Sequence, residues 1–345
     1  MLRQAGGDAG GDENGVDGMN SKTDLSAPSR PRRILRGVGI VLACLLAILI
    51  LSVIIAVRMA FNTGGVPAGA IQKTTTSQDG TSIAYEQTGN GPVLILVASA
   101  LADREGARRL GKELAKDFTV VNYDRRGRGK SGDSPRYARE REVEDIEALV
   151  QSSGGPVFLF GSSSGAALAL DAANQIGPKV KGLFMYEPPF IVDDSRPPMP
   201  ANLSNQIAEC ASRGRRDEAV ELFFMKGVGI PRFGVTMTRL LMPGWSKMTE
   251  MAQTIPYDLA ILEGTQSGKP LPAGRWSSTT VPTLVMVGER SEPFFHSGGK
   301  AIAEVLHNAE CRSLPGGTHG ALLFSPRALA TEVERFFLSI EPSRR

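Results

Sequence analysis

The sequence is poor in the residues that build staples and metal cages. It has three cysteines, Cys44, Cys210 and Cys311, widely spaced and without a C-x-x-C pair. That spacing argues against a zinc site and a disulfide scaffold, and pairing of Cys210 with Cys311 is not expected. Histidine is scarce too, with only His296, His307 and His319. No segment repeats at a fixed period, which excludes solenoids and propellers. Charge of one sign is also lacking: 39 basic against 36 acidic side chains leave a net +3. So balanced a chain is not expected to take nucleic acid as its partner. Nothing in the pattern calls for a cofactor or a metal.

What the chain does have is uneven. Residues 1–36 carry glycine, serine, proline and charge with few apolar side chains, and read as a disordered tail. Gly37–Val57 then runs for 21 residues without a charge. As a helix it would cover about 30 Å, the thickness of a bilayer's hydrocarbon core. Arg30, Arg32, Arg33 and Arg36 precede the run and only Arg58 closely follows it. The positive-inside rule then keeps the N-terminus in the cytoplasm and sends the rest of this single-pass chain across. A cleaved signal is the rival reading, because Ala68-Gly69-Ala70 offers a small-x-small site. The length of the apolar run and its long leader favour an uncleaved anchor over that rival. Residues 58–70 read as a linker.

From residue 71 onward, expected strands alternate with expected helices. Strands are expected at 81–88, 93–97, 118–123, 157–160, 180–186, 281–287 and 310–314. Helices are expected near 103–117, 136–152, 166–175, 297–307 and 325–340. This order predicts an α/β fold: a mostly parallel sheet with helices on both faces. Between Pro188 and Pro282 the alternation stops. Helical pieces at 204–226 and 235–263, many prolines and both tryptophans suggest an insertion, a helical lid over about 190–278.

Gly161-Ser162-Ser163-Ser164-Gly165 falls where a strand meets a helix. In that context G-x-S-x-G is a sharp turn that projects the central serine, with glycines where a Cβ would clash. The plainer alternative is a tight turn with serine as a helix cap. The Ser164 amide, at the helix start, is placed to face a developing oxyanion.

At this point the region 71–345 resembles the α/β-hydrolases, of the lid-containing serine hydrolase type. Four stretches carry the resemblance. Asp124-Arg125-Arg126-Gly127-Arg128-Gly129-Lys130-Ser131 is similar to the family's D-x-R-G-x-G-x-S loop, which gives that basic loop a structural role rather than an anion site. The Ser163 elbow follows it. Val285-Met286-Val287-Gly288-Glu289 is similar to the seventh strand and its exit, and Gly316-Gly317-Thr318-His319 to the loop carrying the family's histidine. The resemblance implies Ser163 as nucleophile and His319 as general base.

Two departures stand beside it. The family's acid is often an aspartate a few residues past the seventh strand, where this chain has Ser291. Glu187, just past the sixth strand, and Glu292 are the candidates, with Glu187 ranked slightly first. The family's His-Gly at the third strand is replaced by Val97-Ala98-Ser99-Ala100, which leaves the Ala100 amide as the second oxyanion donor. The resemblance implies hydrolysis of a small-molecule ester through an acyl-enzyme on Ser163. A cofactor-free perhydrolase side reaction is compatible with the same groups. A non-catalytic module that binds a ligand or partner at the membrane is the alternative, suggested by the missing aspartate. Lid residues such as Phe223, Phe224, Met225, Leu240, Leu241, Met242, Trp245, Met248 and Met251 read as lid core before substrate contacts.

Overall fold

A computed structural model describes residues 30–60, 65–272 and 274–341. The expected disordered tail lies outside the described residues as far as residue 29. Helix α1 (Arg30–Ala60) begins before Gly37 and ends after Val57. Its described side chains, Val38 to Ser52 and Ile55, are exposed. Among the described residues no helix is long and apolar enough to cross a membrane. Within the expected span 37–57, the side chains of Gly37, Val53, Ile54, Ala56 and Val57 lie outside that set.

Among the described residues the sheet has eight strands. They are β1 (Ile71–Thr76), β2 (Ser82–Thr88), β3 (Val93–Val97), β4 (Thr119–Tyr123), β5 (Val157–Ser162), β6 (Val180–Tyr186), β7 (Thr283–Gly288) and β8 (Ala309–Leu314). Their order is β1-β2-β4-β3-β5-β6-β7-β8. β2 pairs antiparallel with β1 and β4, and every later pairing is parallel. β1 was not expected from the sequence. Its run Ile-Gln-Lys-Thr-Thr-Thr is a mostly exposed edge with no apolar face to signal it.

Alternate side chains of the buried strands face two cores. Leu94 and Leu96 join Phe158, Phe160 and Phe184 in the layer covered by α2 (Arg104–Leu114) and the C-terminal helix (Pro326–Ile340). Ile95 and Val97 face the other way, toward α3 (Arg139–Ser152) and α4 (Ser164–Ile176). α4 is apolar nearly all round, as a helix buried in a core requires.

The segment between β6 and β7, where the lid is expected, is helical. It holds α5 (Leu203–Ser212), α6 (Arg216–Leu222), a π-turn at Phe223–Val228, α7 (Arg232–Leu241), α8 (Trp245–Glu250) and α9 (Ile255–Ile261). The two long pieces expected there are five short helices instead. Gly214 and Gly229 take positive φ, and Pro231 and Pro243 follow closely on helix ends, so the chain breaks at these points. After β7 come α10 (Pro293–Val305), β8, α11 (Ala321–Phe324) and α12 (Pro326–Ile340).

The chain passes from β3 outward to β4, then crosses back to β5 on the opposite side of β3. The carboxyl ends of β3 and β5 therefore border a crevice at the point where the winding reverses. Such a crevice is where open α/β sheets hold ligands.

Candidate active site

Ser163 stands at that crevice, between β5 and α4, with φ 53° and ψ −128°. The turn is tight on both sides. A Cβ on Gly161 would lie 2.4 Å from the Gly165 carbonyl oxygen. A Cβ on Gly165 would lie 2.5 Å from the Val97 carbonyl oxygen and 2.6 Å from that of Ala98. Only glycine lets α4 approach the end of β3 so closely. Among the described residues, the non-glycine positions with positive φ are Leu101, Ser163 and Glu187. All three belong to this region, where backbone strain of about 1–3 kcal/mol each is held by the surrounding sheet.

Glu187 follows β6 and is fully buried. Its Oε2 lies 2.6 Å from His319 Nδ1. Its Oε1 accepts the Gly288 amide at 2.6 Å and the hydroxyl of Ser291. An ionised carboxylate only accepts, so Nδ1 carries the proton and Nε2 is the basic nitrogen of the ring. Ser291, standing where the family's aspartate is usual, instead donates to the carboxylate that reaches the imidazole. Glu292 does not join this group. It precedes α10, its side chain is 66% exposed, and its nearest cation is Arg196 at 3.5 Å. The structure thus brings His319 together with Glu187 and leaves Glu292 outside.

Tyr186 was not singled out from the sequence, yet it bonds to backbone on two sides of this group. Its carbonyl accepts the Ser163 amide at 2.9 Å. Its hydroxyl donates to the Thr318 carbonyl at 2.6 Å, next to His319. The His319 ring stacks on Phe295 with centroids 4.6 Å apart.

Two adjoining cavities open on Ser163 and His319. The larger, about 320 Å³, is apolar, with Phe160, Phe223, Phe224, Val228, Met242 and Met248 in its wall. The smaller, about 130 Å³, is lined by Ala100, Ser164, Arg196, Gln266 and Phe294 among others. The two expected oxyanion positions, Ala100 and Ser164, thus share a chamber with Ser163. Ser164 is also the first residue of α4, where the amide has no partner within its own helix. Of the apolar insertion residues, Trp245, Met248 and Met251 are buried in the insertion's own core. Phe223, Phe224, Met242 and Met248 reach the cavity, while Leu240 and Leu241 are exposed.

Beneath the chambers lies a buried ion network that the sequence did not disclose. Arg125 forms two 2.7 Å bonds with Glu142 and one of 2.6 Å with Asp258 of α9. Arg128 meets the other Asp258 oxygen at 2.5 Å, and the Ser164 hydroxyl donates to Asp258 at 2.7 Å. The same arginines donate to the carbonyls of Ala98, at 3.2 Å, and Ser99, at 2.7 Å. Two cations and two carboxylates balance, so the group is neutral and well bonded. The structural role implied for the basic loop holds: Arg125, Arg126 and Arg128 are buried and paired. Burial would push the Asp258 carboxyl up, but the charges of Arg125 and Arg128 outweigh it and hold its pKa below the usual carboxylate range. Among the described residues no cluster of histidine, cysteine or carboxylate side chains is placed to hold a metal ion. Cys210 and Cys311 are free thiols.

Residues 94–332 match the family model described as the alpha/beta hydrolase family. A crystal structure of an alpha/beta hydrolase from Sphaerobacter thermophilus is 42% identical, with a TM-score of 0.71, over 77% of this chain and all of that one. The bifunctional esterase/perhydrolase of Acinetobacter calcoaceticus is 26% identical over 71% of this chain and 92% of its own length. The hydrolase YraK of Bacillus subtilis is 32% identical over 34% of this chain, a match that spans 45% of that protein. Sheet order, the strained turn after β5 and these likenesses agree, and the chain belongs to the alpha/beta hydrolase family.

Proposed function

We propose that the protein is a serine hydrolase that cleaves carboxylic esters through an acyl-enzyme on Ser163. The contact of His319 Nδ1 with the buried Glu187 carboxylate carries the reading, because it orients a base in the chamber that holds Ser163. In this mechanism Nε2 takes the Ser163 proton as Oγ attacks the ester carbonyl. The amides of Ser164 and Ala100 receive the developing oxyanion. The imidazolium, stabilised by Glu187, returns the proton to the leaving alcohol. Water, deprotonated by the same nitrogen, then releases the acid and restores Ser163. The helices between β6 and β7 act as the lid, and Phe223, Phe224, Met242 and Met248 present an apolar wall to the substrate. The esterase named among the relatives supports this class of chemistry. A purely binding role loses its motive, since Glu187 offers a carboxylate to the imidazole in the absence of the usual aspartate.

The test is covalent labelling of the full chain, in detergent, by a fluorophosphonate. Wild type should label, Ser163→Ala should not, and His319→Ala should label far more slowly. Labelling that survives in Ser163→Ala, or a well-folded wild type that resists every probe size, would sink the proposal.

We further propose that residues 37–57 hold the enzyme at a membrane with its N-terminus cytoplasmic and the hydrolase domain on the other side. The uncharged run supports this, as does the Ser52 hydroxyl, whose hydrogen bond to the Ile48 carbonyl at 2.8 Å satisfies it within the helix. The full chain should stay with membranes after alkaline carbonate extraction, and a chain beginning at residue 65 should not. Release of both into the soluble fraction would refute anchoring.

A further inference from the structure

The smaller chamber beside Ser163 contains a cation that the hydrolytic steps do not use. Among the described residues lining it, Arg196 is the only cation. Its side chain is only 15% exposed. The guanidinium lies over the Phe294 ring, 4.5 Å from the centroid, which fixes its plane. Nη2 donates to the Gly227 carbonyl at 3.0 Å. A Cβ on Gly229 would come within 2.7 Å of that nitrogen, so the absence of a side chain there makes room for it.

These contacts satisfy little of the group. A guanidinium has five N–H donors. Glu292 stands 3.5 Å away, too far for a good hydrogen bond, and is 66% exposed, so water screens the pair. The other carboxylate on the chamber wall, Asp258, is committed to Arg125, Arg128 and Ser164. Arg196 is not among the buried side chains left without partners, so its uncommitted donors face the open chamber, where a partly desolvated cation favours an anionic ligand. Among the described residues that line the adjoining larger chamber there is no arginine or lysine, and its wall is apolar.

We infer that Arg196 selects esters bearing a carboxylate a few atoms from the scissile carbonyl. That anionic end occupies the smaller chamber and the apolar remainder the larger one. The inference rests on the hydrolase reading for its chemistry, but not for the binding of the anion. A chamber of about 130 Å³ admits only a short carboxylate-bearing group. The planar guanidinium offers two parallel N–H donors that match a carboxylate's two oxygens.

The test uses the full chain carrying Ser163→Ala, so that ligand binding is read without turnover. Titration calorimetry would compare monomethyl succinate with methyl butyrate, and 3-acetoxypropanoate with propyl acetate. The two pairs place the carboxylate on the acyl and on the alcohol side. In one pair the anionic ligand should bind at least tenfold tighter, as charge-assisted hydrogen bonds allow. Adding Arg196→Gln should bring that ratio to about one, and Arg196→Lys should keep part of it. Lack of preference in both pairs would overturn the inference. So would an equal weakening of both ligands by Arg196→Gln, which would make the arginine a structural prop. With Ser163 restored, the same ester pairs report on turnover. Anion preference without turnover would remove the hydrolase reading and leave Arg196 standing. Turnover without preference would do the reverse.

Discussion

Glu187→Gln should lower kcat by about 10³- to 10⁴-fold, with a much smaller change in KM. A carboxamide fits the space of the carboxylate but cannot stabilise the imidazolium that forms during attack, and it can donate to Nδ1 and favour the wrong tautomer. Three donors converge on Glu187, from His319, Gly288 and Ser291; the glutamine's one carbonyl oxygen can still serve Gly288 and Ser291, but the NH₂ then facing Nδ1 cannot accept its proton. Glu292→Gln, by contrast, should lower kcat by no more than about tenfold, since that side chain is exposed and lies beside Arg196. Steady-state hydrolysis of a p-nitrophenyl ester by both variants decides the matter. Equal losses would mean that the loop after β7 shifts during turnover and that the acid has been misassigned.

Asp258→Asn should destabilise the protein by about 3–5 kcal/mol near neutral pH. It leaves Arg125 with Glu142 alone and Arg128 with no carboxylate partner, both guanidinium groups being fully buried. At roughly 2–4 °C per kcal/mol for a domain of this order, the melting point should fall by about 10 °C. The pH dependence gives a second signature. The Asp258 pKa in the folded chain lies below the unfolded value of about 3.9. The unfolded chain therefore binds this proton first as acid is added, and the carboxylate's contribution is complete above about pH 5. It is lost as the pH falls through the depressed folded value. The gap between wild type and Asp258→Asn should thus narrow in acid. Urea unfolding of both proteins across a pH series tests this. A gap absent at pH 7, or one that widens below pH 4, would show that the network is not held by charge.

Much of this architecture is legible in the sequence where one local pattern dominates. Val93–Val97 and Val180–Tyr186 are strands with the expected bounds: the first is a continuous apolar run, and the second is apolar but for Lys181 and Gly182 and almost wholly buried. The turn around Ser163 is equally plain, since its glycines answer to backbone contacts within a few residues and at the next strand. Legibility fails where partners are far apart in the chain. Glu187 and Glu292 each follow a strand and look alike in one dimension. Only the pairing of β6 with β7, which sets Tyr186 against Met286, brings Glu187 beneath the Gly288 amide and Ser291. Asp258 lies 94 residues from the serine it bonds, within a helix whose local pattern gives no hint of that reach. Arg196 sits in a proline-rich stretch at the start of the expected lid, with no local pattern to mark it. The edge strand β1 was missed for the opposite reason: it buries too little to leave a pattern.

The two bonds of Tyr186 also set the order in which the site would come apart. One hydrogen bond links the Ser163 amide to the carbonyl of Tyr186, the residue before Glu187, so Ser163 and Glu187 ride on the same stretch of sheet. A fluctuation of β6 carries both and leaves their spacing unchanged. His319 is held through a neighbouring carbonyl, on a loop whose ring is 45% exposed, and is the member with least beneath it. Local opening, which begins where burial is thinnest, would detach the imidazole while serine and carboxylate stay in register. On the proposed mechanism the protein would then lose its proton carrier before its frame, and recover by re-docking one loop rather than by refolding a sheet.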